Sequence, residues 1–172
     1  MDLRALVREI PDFPRPGIRF RDITPLLLDP DGLEAAVAGL ASAVGPGTVD
    51  YVVAAEARGF ILGAALAREL HAGFVPARKP GKLPADTVSA EYALEYGLDA
   101  LEVHADALAD GARVLVHDDL LATGGTAGAL CELVSELGGN VLGCSFLIEL
   151  AALGGRARLH PHPVRSLIVF ED

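Results

Sequence analysis

The chain has no tryptophan, one methionine and two cysteines, and aromatic residues fill only 5% of its 172 positions. Two cysteines, Cys131 and Cys144, outside any CxxC pair, exclude a disulfide framework and a thiolate metal site. Both lie in apolar stretches, where reduced core thiols are expected, and this fits a cytoplasmic protein. Positive charge is scarce: 14 Lys and Arg stand against 24 Asp and Glu, a formal net charge of −10. A protein that tracks a nucleic-acid backbone neutralises phosphates with Lys and Arg, so no nucleic-acid partner is expected. Long apolar runs are missing as well. Although 51% of residues are hydrophobic, every run breaks before the roughly 18 residues of a membrane span. Residues 1–10 carry Asp2, Arg4, Arg8 and Glu9 where an export signal needs an unbroken apolar stretch. The apolar content is therefore assigned to a buried core, with no membrane partner.

What is present is enough for one core, so residues 1–172 are taken as a single domain. Leu3, Leu6, Val7 and Ile10 recur at helical spacing and predict a short amphipathic helix, stopped by Pro11 and Pro14. Asp31 is the expected N-cap of a helix over 32–44, which Gly45, Pro46 and Gly47 end. An alternation follows: strand 51–54, helix 59–70 and strand 73–77 form a βαβ unit and imply a parallel sheet. Strand 114–116, helix 126–137, a continuous apolar strand 141–150 and an edge strand 164–170 complete an α/β pattern. Residues 80–104, rich in Gly, Pro, Glu and Tyr, break the rhythm and are expected to form an inserted hairpin or mobile loop.

The most informative segment is Val114-Leu115-Val116-His117-Asp118-Asp119-Leu120-Leu121-Ala122-Thr123-Gly124-Gly125-Thr126. A buried strand delivers two adjacent carboxylates to the carboxyl end of the sheet, where open α/β sheets bind ligands. The small residues Ala122, Thr123, Gly124, Gly125 and Thr126 then lead into a helix, so their N–H groups make an anion-binding turn. Asp118 and Asp119 suit sugar hydroxyls or the water shell of Mg²⁺. Alone, paired acids and paired glycines also fit a plain strand end and turn. The whole order resembles the phosphoribosyl pyrophosphate (PRPP) signature of the type I phosphoribosyltransferases. His117 departs from it, standing where the family more often has an apolar residue.

Further segments are similar to the adenine-specific branch of that family. Residues 13–25, with Phe13, Phe20 and three prolines, resemble the family's hood over the base; the residues by themselves favour an anchored Pro-rich connector. The resemblance implies that backbone groups of Arg19 and Arg21 read adenine and that Phe20 packs on its ring. Arg19 replaces a commonly apolar residue. Glu56-Ala57-Arg58-Gly59-Phe60 is similar to the family's pyrophosphate loop, in which a non-proline peptide is often cis. Arg78, Lys79 and Lys82 match an Arg-Lys-x-Gly-Lys-Leu-Pro motif and follow a strand end, which puts positive charge at the same crevice of an acidic chain. Tyr92-Ala93-Leu94-Glu95-Tyr96-Gly97 resembles the catalytic loop, which a β-hairpin turning at Gly97 would also fit.

The resemblance thus implies a single-domain type I fold, a mainly parallel sheet flanked by helices, with an N-terminal hood over 1–28 and a catalytic loop inserted at 80–104. It implies transfer of the ribose 5-phosphate of PRPP to adenine, with release of pyrophosphate, by a Mg²⁺-dependent cytoplasmic homodimer. Glu95 is the expected proton acceptor and Tyr96 a loop contact. No direct protein ligand for the metal is expected. Three rivals stay open: a transferase for another purine base, a non-catalytic PRPP sensor, and a metal site on His160-Pro161-His162-Pro163.

Overall fold

A computed structural model describes residues 1–93 and 97–171. The strands β3 (Tyr51–Ala55), β4 (Gly73–Ala77), β7 (Arg113–Leu121), β8 (Asn140–Leu150) and β9 (Val164–Phe170) form one five-stranded sheet in the order β4-β3-β7-β8-β9. Every pairing in it is parallel. Their near-continuous burial explains the unbroken apolar runs, since a parallel sheet is covered on both faces. The helices α2 (Pro30–Ser42) and α3 (Arg58–Leu70) cover one face. The other carries α4 (Gly125–Glu136) and an antiparallel hairpin of β5 (Thr87–Ala93) and β6 (Leu98–His104). Phe146, Leu130 and Leu133 on one side and Leu62, Leu66 and Leu147 on the other are fully buried. Each contributes about 2 to 3 kcal/mol of apolar burial.

Three expectations are corrected at element ends. The predicted helix over 3–10 is a 3-10 turn, Leu3–Leu6, followed by the strand β1 (Arg8–Pro11). That strand pairs with β2 (Arg19–Asp22) across the Pro-rich segment, with Glu9 opposite Arg21 and Pro11 opposite Arg19. A short helix α1 (Thr24–Leu28) then leads to α2, whose N-cap is Asp29 rather than Asp31: the Asp29 carboxylate accepts from the Gly32 N–H at 2.8 Å, with Pro30 in the first turn. Third, β7 does not stop at Val116. Its ladder with β8 continues through Leu120 opposite Ile148 and Leu121 opposite Glu149, so both aspartates lie inside the strand. The stretch 80–104 supplies the β5–β6 hairpin, and residues 94–96 between those strands lie outside the described part.

No helix among the described residues is long and apolar enough to cross a membrane. Cys131 and Cys144 are free and buried, with their sulfurs 3.6 Å apart.

Candidate active site

Adjacent strand positions point to opposite faces of a sheet, and Asp118 and Asp119 still line one cleft. That cleft, of about 230 Å³, has Glu56, Ala57 and Arg58 on one wall, Lys79 and Tyr92 on another, and Asp118, Asp119 and Thr126 between them. A smaller cleft of about 70 Å³ is bordered by Asp118 and by the turn from Ala122 through Thr123, Gly124 and Gly125 to Thr126. Asp118 and Thr126 border both, so the acids and the amide turn belong to one continuous groove at the carboxyl ends of the strands.

The turn is built by backbone geometry. Gly124 is the N-cap of α4, with φ of +83° and no side chain to bond the first-turn N–H groups. A Cβ on it would stand 2.8 Å from the Gly155 carbonyl, and one on Gly155 would stand 2.3 Å from the Ala122 carbonyl. The turn therefore rests on the short helix α5 (Gly155–Arg158), backbone against backbone. Gly124 serves a left-handed turn and this backbone contact. Gly155 escaped the sequence reading because nothing local marks a glycine whose contacts, Ala122 and Gly124, lie so far back in the chain. Gly155→Ala is expected to raise the KM for PRPP about tenfold and to cost about 2 kcal/mol of stability. Initial rates and urea unfolding check this, and an unchanged KM would separate the turn from PRPP binding.

Charges in the groove come in pairs. Arg58 Nε lies 3.2 Å from Asp119 Oδ2. Arg78 Nε lies 3.4 Å from Glu56 Oε1, and the same oxygen accepts from the Lys79 N–H at 2.7 Å. Glu56, assigned to the pyrophosphate side, thus ties the β3 exit to the β4 exit and orients the cations there. The Glu56–Ala57 peptide is cis. Lys82 is exposed and, like Arg78, stands outside the cleft lining; its carbonyl accepts from Arg78 at 3.5 Å. Burial pushes the Asp118 carboxyl well above its ordinary range, and the neighbouring Asp119 charge adds to this. Asp119 is also pushed up by burial, against the pull of Arg58. Two acids so placed do not both ionise freely.

Phe20 meets Phe13 edge-to-face at 5.2 Å between ring centroids, and the Arg58 guanidinium lies 5.3 Å from the Phe20 ring centre. This contact joins β2 to the start of α3. The Arg21 side chain is buried, paired with Glu9 and stacked 4.0 Å over Phe170. Arg19 is exposed. As they alternate on β2, their backbone groups share one strand edge. Glu95 and Tyr96 lie outside the described residues. Among the described residues no three His, Cys, Asp or Glu side chains gather as a metal-binding set, so the His160–His162 alternative finds no third ligand there.

His117 is fully buried on the α3 side of β7; its Nδ1 lies 3.5 Å from Ser145 Oγ and its Nε2 has no partner. Burial lowers its pKa to about 4, so it fills an apolar position as a neutral ring. The unfolded chain binds the proton near the ordinary value of about 6.5, so stability is full above that pH and falls as pH drops toward 4. The loss amounts to about 3 kcal/mol. His117→Leu should flatten this acid-side slope in urea unfolding between these two pH values; an unchanged slope would assign it to other groups.

Residues 27–168 match the phosphoribosyl transferase domain family. The adenine phosphoribosyltransferase of Prochlorococcus marinus (strain MIT 9313) is 56% identical over 171 residues, 99% of either chain. The crystal structure of the adenine phosphoribosyltransferase from Thermoanaerobacter pseudethanolicus superposes with a TM-score of 0.95 at 52% identity, covering 98% of each chain. That of the Saccharomyces cerevisiae enzyme, complexed with an imino-altritol bisphosphate and adenine, has a TM-score of 0.91 at 39% identity over 96% of each chain. The chain belongs to the phosphoribosyltransferase family and, within it, to the adenine phosphoribosyltransferases.

Proposed function

We propose that this chain joins adenine to the ribose 5-phosphate of PRPP, giving AMP and pyrophosphate, and so serves purine salvage. The observation that carries the reading is the continuous groove in which Asp118 and Thr126 border both the acid pair and the amide turn. A phosphorylated sugar spans such a groove, its 5-phosphate on the Ala122–Thr126 amides at the start of α4 and its ribose hydroxyls near Asp118 and Asp119. Holding the remote phosphate converts binding free energy into orientation of the anomeric carbon.

In the reaction, N9 of adenine forms a bond to that carbon while the carbon–oxygen bond to the diphosphate breaks, and the electron pair leaves with the diphosphate. The sugar acquires cationic character on the way. Carboxylates close to the ribose stabilise it, and Arg58, Arg78, Lys79 and Lys82 meet the departing anion. The base lies against Phe20 under the hood, its edge read by backbone groups of Arg19 and Arg21. The proton on N9 passes to Glu95. Asp118 and Asp119, the second paired with Arg58, are hard oxygen donors suited to the water shell of Mg²⁺. Held chiefly by substrate phosphates and water near Asp118 and Asp119, the ion would neutralise diphosphate charge.

The cytoplasmic homodimer implied by the family resemblance belongs to the same proposal, and light scattering checks the mass. The direct test is a competition assay with PRPP, Mg²⁺ and equal amounts of adenine, hypoxanthine and guanine. AMP is expected as the main product; IMP or GMP in excess would reassign the base, and no nucleotide at all would leave a PRPP sensor.

A further inference from the structure

The hairpin contributes a carboxylate, Asp99, that neither the motifs nor the roles above use. Tyr92 and Asp99 face each other in the β5–β6 register. Their side chains converge on Lys79 at the exit of β4. The Lys79 ammonium pairs with Asp99 Oδ2 and donates to the Tyr92 hydroxyl at 3.2 Å; that hydroxyl donates to the same Asp99 oxygen at 3.2 Å. The other carboxylate oxygen accepts from the Ala100 N–H at 2.8 Å. Asp99 is thus fixed from two sides and holds Lys79 at the cleft wall.

We propose that Asp99 is a positioning residue that orients Lys79 and offsets its charge, and so sets how tightly the groove grips the diphosphate group. The inference rests on reading Lys79 as a cation of the diphosphate side. Its physical basis is the pairing seen throughout the groove: Asp119 accompanies Arg58, Glu56 accompanies Arg78, and Asp99 accompanies Lys79. Unopposed, these cations would hold a polyanionic product strongly, and an enzyme that makes pyrophosphate must also release it. A carboxylate one side chain away from the anion weakens the grip without removing the cation that orients it. One unit charge at such a distance, half-screened by solvent, is worth about tenfold in affinity.

Pyrophosphate binding in magnesium buffer, followed by titration calorimetry, tests this. Asp99→Asn keeps the shape and removes the charge; Asp99→Ser removes the charge by a different side chain and guards against a folding defect peculiar to the amide. Both are expected to bind pyrophosphate about tenfold tighter than the unaltered chain. The gain should shrink at high salt, and Asp99→Glu should return the affinity toward the original. A side chain that merely braced the hairpin would weaken binding in all three variants. Unchanged or weaker binding by the Asn and Ser variants therefore overturns the proposal while the unaltered chain still makes AMP. An unaltered chain that neither binds pyrophosphate nor makes AMP would instead overturn the reading of the groove, and this inference with it.

Discussion

Asp118→Asn is expected to make the fold more stable and the enzyme nearly inactive. The carboxyl is tucked beside Asp119 at the end of β7, where burial, and then the neighbouring charge, raise its pKa well above the ordinary carboxylate value. An acid whose folded pKa is raised contributes stability that is fully present below its unfolded pKa of about 3.9 and is lost as pH climbs through the folded value. At neutral pH the native state therefore carries the cost of holding this acid beside another. An amide of the same shape removes the cost and should raise the urea midpoint. On the proposed reading the charge faces the developing cationic sugar, and its removal is expected to cost about 10²-fold to 10³-fold in kcat/KM. Urea midpoints at neutral pH and rates of AMP formation check the two halves separately. The stability gain should vanish near pH 4, opposite in sign to the His117 slope. A destabilised Asn variant would mean that Asp118 is held mainly by favourable contacts, and undiminished activity would remove it from the ribose site.

This trade between stability and function also marks where the sequence was legible. Apolar runs such as 141–150 and the strand–helix alternation from Tyr51 to Ala77 are direct consequences of a sheet covered on both faces, and they map onto β8 and the β3–α3–β4 unit. The order of acids and small residues after Val116 gave the groove, because a strand, a turn and a helix start are contiguous in sequence. The Leu3–Ile10 stretch was misread because its spacing fits a helical face while the partner that makes it a strand, Arg19–Asp22, lies beyond a Pro-rich segment. The end of β7 was misplaced because local polarity marks where a strand meets a site, whereas the ladder to Glu149 depends on β8. Gly155 and the Lys79–Asp99–Tyr92 cluster have the same character: each joins residues far apart in the chain, and no spacing rule announces them.

Glu95→Gln is expected to lower turnover by about 10²-fold to 10³-fold and to leave the KM for PRPP within a few fold. As the C–N bond forms, N9 of adenine becomes acidic, and a carboxylate within hydrogen-bond reach accepts its proton in the transition state. The amide cannot accept it, although it fills the same space. Glu95 belongs to the connection between β5 and β6, three positions after Tyr92, whose side chain lines the cleft. On the proposed reading PRPP is held elsewhere, by the amides of the α4 turn and the cations of the β3 and β4 exits, and its affinity should therefore be insensitive to Glu95. A substitution that merely disturbed the hairpin would also disturb Tyr92 and Lys79, and would raise the KM for PRPP along with the loss of rate. Steady-state rates at saturating adenine, with PRPP varied, separate these cases. Full turnover by the Gln variant would take Glu95 out of the chemistry and leave proton transfer to solvent.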